Sequence, residues 1–151
     1  MKKQNNNGNF NYYIYGRHAV LAALENSERQ KLLLLLEKNK YCDLIGKYQK
    51  FINIKVVDKI TNDLNYLSPH VHQGIVLQTE ILKQINFDKL QKKLAKKTTD
   101  NILILDQIND PQNIGAIIRS ALAFGIETII VPDCHTPHET AAMVKTASGA
   151  F

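Results

Sequence analysis

Five leucines in a row, Leu32 to Leu36, framed by Lys31 and Glu37, constrain this chain more than any other feature. The run is far too short for a membrane helix, which needs about 20 apolar residues. It reads as a fully buried strand bounded by charge. The flanking sequence supplies partners for it. Val20, Leu21 and Leu24 share one helical face within Arg17 to Asn26, and Tyr41, Leu44, Ile45, Tyr48 and Phe51 keep helical spacing. Ile54 to Val57 predicts a short β-branched strand, Asn62 to Leu67 a short helix, and Gly74 to Gln78 another strand. Strands alternating with helices from Tyr12 to about Glu80 predict a small α/β layer structure. Met1 to Asn11 is rich in Asn and Lys and predicts a disordered arm.

Composition narrows the classes of function. With 151 residues and 44% hydrophobic content the chain can bury a core and form one domain or two small ones. Met1 to Tyr13 is too polar for a secretory signal, so a cytoplasmic protein is expected. Cys42 and Cys134 lie far apart without CxxC spacing, so reduced thiols are expected rather than a disulfide framework or zinc module. Cys134, His135 and His138 lack a fourth ligand at metal-site spacing, and His70 and His72 flank a Pro69 turn; no metal is expected at either place, and all four imidazoles read as surface groups. The net charge of +5 favours an anionic partner. Lys89, Lys92, Lys93, Lys96 and Lys97, with Leu90 and Leu94, give one helix a basic outer face in the polar linker 82–100, which by itself reads first as a solvated helix surface.

From residue 101 a βαβ pattern begins. Ile102 to Leu105 reads as a strand, and Glu127 to Val131, stopped by Pro132, as its parallel partner. Between them Asp110 can cap a helix that Pro111 opens, with Ile114, Ile117, Ile118, Ala121 and Leu122 on its buried face and Phe124-Gly125 at its end. The loop Asp106 to Asn113 thus sits at the carboxyl end of a parallel strand, where ligands commonly bind. Asn113, Gly115 and Arg119 space as N-x-G-x-x-x-R. Gly115 permits close approach of another backbone, for a ligand site or for helix packing alone. Arg119 is a permanent cation in an otherwise apolar helix; the alternative is a helix-end arginine paired with a carboxylate, and the residues by themselves leave both open.

The stretch LDxxxDPxNxGAxxRxAxAFG within Ile102 to Ile130 resembles the first motif of the SpoU branch of the SPOUT RNA methyltransferases. YGRHAVLAALEN at Tyr15 to Asn26 and HQGIVL at residues 72–77 resemble the ribosomal-protein-like substrate-binding domain of the family's rRNA guanosine 2′-O-methyltransferases, and KTASGAF at Lys145 to Phe151 resembles the segment after the second strand. The resemblance implies an α/β chain: a small α/β/α substrate-binding domain over 12–81, after an arm over 1–11, and from 101 to 151 the first part of a parallel-sheet, trefoil-knot methyltransferase domain.

Carried over residue by residue, the resemblance makes Arg119 the catalytic arginine and Asn113 its neighbour at the reacting 2′-hydroxyl. It places Arg17, His18, Lys145 and Ser148 at the RNA. It implies S-adenosylmethionine as methyl donor, structured RNA, a 23S rRNA guanosine, as substrate, and a homodimer. The family's donor pocket comes from later glycine-rich and SLN-like motifs, so it is expected beyond Phe151, with the knot region and cofactor-binding residues missing from this sequence. A fragment, a split gene and a decayed copy all stay open, as does the alternative of an RNA-binding or partner-binding chain without catalysis.

Overall fold

The computed structural model describes residues 3–4, 10–65, 67, 69–95, 101–133 and 136–151. The chain opens with strands β1 (Lys3–Gln4) and β2 (Phe10–Tyr15), then α1 (Arg17–Glu25) and the leucine strand β3 (Lys31–Glu37). Next come α2 (Cys42–Tyr48), β4 (Asn53–Val57), the short helices α3 (Ile60–Asp63) and α4 (Pro69–His72), and β5 (Ile75–Glu80). These strands form one sheet in the order β1-β2-β5-β3-β4, with β3–β4 parallel and the other pairs antiparallel.

The leucine run occupies the interior of this sheet because β5 and β4 take up its backbone groups on both sides, Leu34 opposite Leu77 and Ile54. Its side chains alternate. Leu34 and Leu36 join Ile14, Ile75 and Leu77 under α1 and α2, while Leu35 and Val76 meet Ile60, Leu64 and Leu67 on the other face. Burial on both faces explains why the run carries no polar residue.

Three expectations need correction. Residues of the arm are partly in the sheet, Lys3 opposite Asn11 and Gln4 opposite Phe10. A backbone ladder on the free edge of β2 needs no apolar side chain, so composition gave no sign of it. The helix expected over 62–67 is displaced to Ile60–Asp63, where Ile60 is fully buried and Asp63 receives Lys55 Nζ at 2.6 Å, and Pro69 opens α4 instead of a turn.

Beyond α5 (Phe87–Leu94), of which only Leu90 is buried, β6 (Ile102–Ile104) and β7 (Thr128–Ile130) pair in parallel around α6 (Pro111–Ala123), and α7 (Ala141–Ala147) follows. Lys96 and Lys97 of the basic segment lie outside the described residues. The second core gathers Leu105, Ile114 and Met143, with Leu103, Ile117, Ile118 and Ile129 against it.

Helix α7 belongs to both cores. Met143 packs with α6, whereas its neighbour Val144 sits in the core of the five-stranded sheet. Each such buried side chain contributes about 1.5–3 kcal/mol. A buried polar cluster adds direction. Glu139, just ahead of α7, pairs with Arg29 Nη1 at 2.7 Å, accepts the Tyr12 hydroxyl, and receives Leu82 N at Oε2 at 2.9 Å. Arg29 Nη1 also reaches the Tyr12 hydroxyl at 3.2 Å and Glu80 O at 3.3 Å. Breaking one side of such a pair costs about 3–5 kcal/mol, because it strands a buried charge.

Gly115 sets how closely α6 and α7 approach: a Cβ there would lie 2.4 Å from Met143 O, a backbone atom that cannot swing aside. Gly115→Ala is therefore expected to lower the stability of the chain by about 1–3 kcal/mol, the usual cost of overpacking. Urea unfolding followed by circular dichroism measures it, and an unchanged midpoint would refute the close-approach role.

Candidate functional site

Two groups of polar side chains stand out, and α6 carries the first. Asp110 Oδ1 caps this helix by accepting Gln112 N at 3.0 Å, ahead of Pro111. At its other end Ile126 N reaches Ala121 O at 2.9 Å and Gly125 N reaches Leu122 O at 3.0 Å, the paired bonds of a glycine-closed helix end, with Gly125 at φ +73°. Both ends are thus fixed. Asn113, exposed on the first turn, lines an open depression of about 450 Å³ with Gln107, Ile108, Asn109, Asp110 and Ile117. Because Asp110 holds the cap, Asn113 is left facing that depression.

Arg119 lies six residues on, about 9 Å along the axis and roughly 120° around it. It is exposed and does not line the depression. Among the described residues its guanidinium has no ion pair, so the carboxylate partner of a structural arginine is not found there.

The second group forms where α1 begins. Arg17 and His18 are exposed, and Arg17 N donates to Gln73 Oε1 at 2.9 Å. Lys145, from the last turn of α7, lays its Cε 3.9 Å from the place a Cβ on Gly16 would occupy and its Nζ 5.6 Å from the Tyr15 ring centroid, a cation–π contact. Lys145, far along the sequence, is thereby brought to the corner where Arg17 and His18 begin α1. Ser148 ends α7 in the left-handed region at φ +51°, exposed, its N–H on Lys145 O at 3.2 Å. Asn113 and Arg119 do not join this corner through any contact among the described residues.

Behind the corner, His72 corrects the expectation of a surface imidazole: it is fully buried, and its Nδ1 accepts Gly74 N at 2.9 Å. The proton must then sit on Nε2, which is buried without a hydrogen-bond partner among the described residues. Burial pushes the His72 pKa below its ordinary value; Glu37 opposes the shift and Lys40 adds to it. Burial also raises the Glu37 carboxyl, but hydrogen bonds from Lys40 and Ile60 N outweigh it and leave the group below its usual range. The only sequence sign of His72 was its place two residues ahead of a buried strand. Cys134 and His135 lie outside the described residues, as does the His70 side chain; His138 is exposed, and no group of three metal-binding side chains occurs among the described residues.

This arrangement, a capped helix carrying Asn113 and Arg119 after a parallel strand and a sheet unit before it, matches two family models. The SpoU rRNA Methylase family covers residues 100–151, and RNA 2′-O ribose methyltransferase substrate binding covers residues 13–85. The chain belongs to the SpoU family. It is similar to the 23S rRNA (guanosine-2′-O-)-methyltransferase RlmB of Coxiella burnetii, 35% identical over 142 residues, covering 91% of this chain and 56% of that protein. RlmB of Vibrio vulnificus is 32% identical over 150 residues, covering 93% of this chain and 58% of the relative. The SpoU chain thus spans little more than half the length of these curated relatives. The SpoU methyltransferase AviRb from Streptomyces viridochromogenes, solved in complex with AdoMet, shares the fold with a TM-score of 0.70 at 18% identity, over 93% of this chain and 52% of its own. The α/β expectation and the family resemblance are borne out.

His72 gives the site a pH dependence. Its folded pKa lies below the unfolded value near 6.5, so the stability it contributes is complete above that pH and is lost as pH falls through the folded pKa. The thermal midpoint of the wild-type chain is expected to drop between pH 7 and 5, and His72→Gln to flatten that drop. Parallel drops in the two proteins, read by calorimetry across this range, would remove His72 as the cause.

Proposed function

We propose that this chain carries the RNA-recognising segment, 12–81, a linker, 82–100, and the first catalytic segment, 101–151, of an S-adenosylmethionine-dependent ribose 2′-O-methyltransferase, with a guanosine of 23S rRNA as substrate. The observation that carries the reading is Arg119: an exposed guanidinium with no ion pair among the described residues, on the helix that follows a parallel strand, inside the segment that matches the methylase family. The relatives' names supply the substrate.

Methyl transfer to a ribose needs the 2′-hydroxyl to lose its proton while it is held in line with the methyl group. Arginine stays protonated at a pKa above about 12, which suits it poorly to the role of base. Arg119 instead stabilises charge developing on the 2′-oxygen and holds an RNA phosphate, while the proton goes to another acceptor. Asn113, free of the capping role, serves the ribose. S-adenosylmethionine would supply the methyl group. The described residues do not fit that donor, since the depression beside Asn113 is open and does not enclose a ligand. No residue of this chain is assigned to it.

A homodimer and a cytoplasmic location fit this reading; the exposed Ile104, Leu122 and Phe124 offer apolar surface for assembly, and no helix among the described residues is long and apolar enough to cross a membrane. A second reading, RNA or partner binding without chemistry, is favoured by one observation: Lys145 is brought onto Tyr15 and Gly16, immediately before Arg17 and His18 in the chain.

In the complete enzyme that carries this segment, Arg119→Ala is expected to lower the single-turnover rate by about 10²-fold or more with RNA affinity little changed. Arg119→Lys should rescue poorly, because it keeps the charge and loses the planar fork. Quenched methylation with tritiated donor reads the rate. A dimer that binds RNA and transfers methyl at the wild-type rate would end the assignment.

A further inference from the structure

The buried cluster around Glu139 is used by neither catalytic group. It lies where the segment matching the methylase family meets the segment matching the substrate-binding family. Arg29, Tyr12 and Glu139 are 3%, 4% and 6% exposed, so this contact is sealed from water. Two further donors of Arg29, Nε and Nη2, are buried without a partner among the described residues, which leaves the cation dependent on the one carboxylate it touches. Leu82 N on Glu139 Oε2 fixes the carboxylate's second oxygen as well. Glu139 is therefore pinned in position, and α7 starts two residues later.

What α7 then presents is Lys145. Its side chain crosses onto Tyr15 and Gly16, immediately before Arg17 and His18. Lys145, Arg17 and His18 are all exposed and have no ion pair among the described residues. The carboxylates that end β3 and α1 are engaged elsewhere, Glu37 with Lys40 at 2.8 Å and Glu25 with Lys47 at 3.4 Å. Among the described residues the corner is thus cationic and has no ion-pair partner.

We infer that Glu139 is a positioning residue: through Arg29 and Tyr12 it seats α7 on the five-stranded sheet and so places Lys145 beside Arg17 and His18, making one site for an RNA phosphate that neither segment makes alone. The inference rests on the RNA-binding reading above and adds to it a site shared by both segments. Its consequence is energetic coupling between a buried carboxylate and a surface lysine that do not touch.

The test is a double-mutant cycle on the 151-residue chain, using a fluorescein-labelled RNA hairpin of defined sequence and reading how log Kd changes with log salt concentration. Each phosphate contact contributes about 0.7 to 0.9 to that slope through counterion release. Lys145→Ala alone is expected to flatten the slope by about one contact. Glu139→Gln should flatten it by the same amount, and Lys145→Ala should then add nothing. Arg17→Ala should keep its full effect in the Glu139→Gln background, showing that the first segment still folds and binds. A merely structural Glu139 would lower stability and leave the salt slope at its wild-type value. Additive effects of Glu139→Gln and Lys145→Ala would overturn the shared site while leaving RNA binding intact. Salt-independent binding or none by the wild-type chain would overturn the RNA reading and this site with it. If Glu139→Gln fails to fold by circular dichroism, Tyr12→Phe replaces it, deleting one hydrogen bond to the carboxylate; partial loss of the Lys145 contribution supports the inference and a full Lys145 contribution overturns it.

Discussion

The arrangement depends on one buried ion pair, Arg29 with Glu139, and on the short helix it anchors. An arginine sealed from water is tolerable only with a carboxylate against it, and two of its donors have no partner among the described residues. Apolar residues of equal volume often stabilise such a place as well or better. What an ion pair adds is direction: it accepts one register of α7 and penalises the others. With that register set, Val144 enters the sheet core, Met143 enters the second core, and Gly115 closes on the backbone of α7.

The sequence made some parts of this legible for physical reasons. The leucine run was legible as a strand, since it is short, apolar and framed by charge, and three of its leucines, Leu34 to Leu36, are buried. Helix α6 was readable from both ends because Asp110, Pro111 and Gly125 each perform a local task that its own position demands. Helix α7 was not, because its burial depends on partners supplied by distant segments. Arg29 and Glu139 look locally like any surface charges. Tyr12 and Glu139 stand 127 residues apart, and nothing in either neighbourhood refers to the other. The edge strand β1 escaped notice since its ladder is made of backbone alone.

The polar residues sort in a similar way. Asn113 and Arg119 were found by spacing on one helix, and the fold leaves both exposed. Arg17 and Lys145 were each found by resemblance, but their closeness came only from the packing of α7. His72 was misjudged because burial of an imidazole depends on the elements folded over it, here the turn into β5 and its neighbours Glu37 and Lys40. Together these features leave exposed polar side chains in two groups, one along α6 and one where α1 begins.

The place of Val144 in the first core also bears on how this chain acquires its structure. A sheet whose strands are all finished by Glu80 still has apolar side chains waiting for a helix that begins at Ala141. During synthesis those residues leave the ribosome some 60 positions later, which at about 5–20 residues per second is a delay of several seconds. Throughout that interval the nascent sheet presents an incomplete apolar face and an arginine with no carboxylate to meet it. Closing the Tyr12 to Glu139 contact is then a long-range event, entropically costly and late, and the first segment reaches its final packing only when the second has been made.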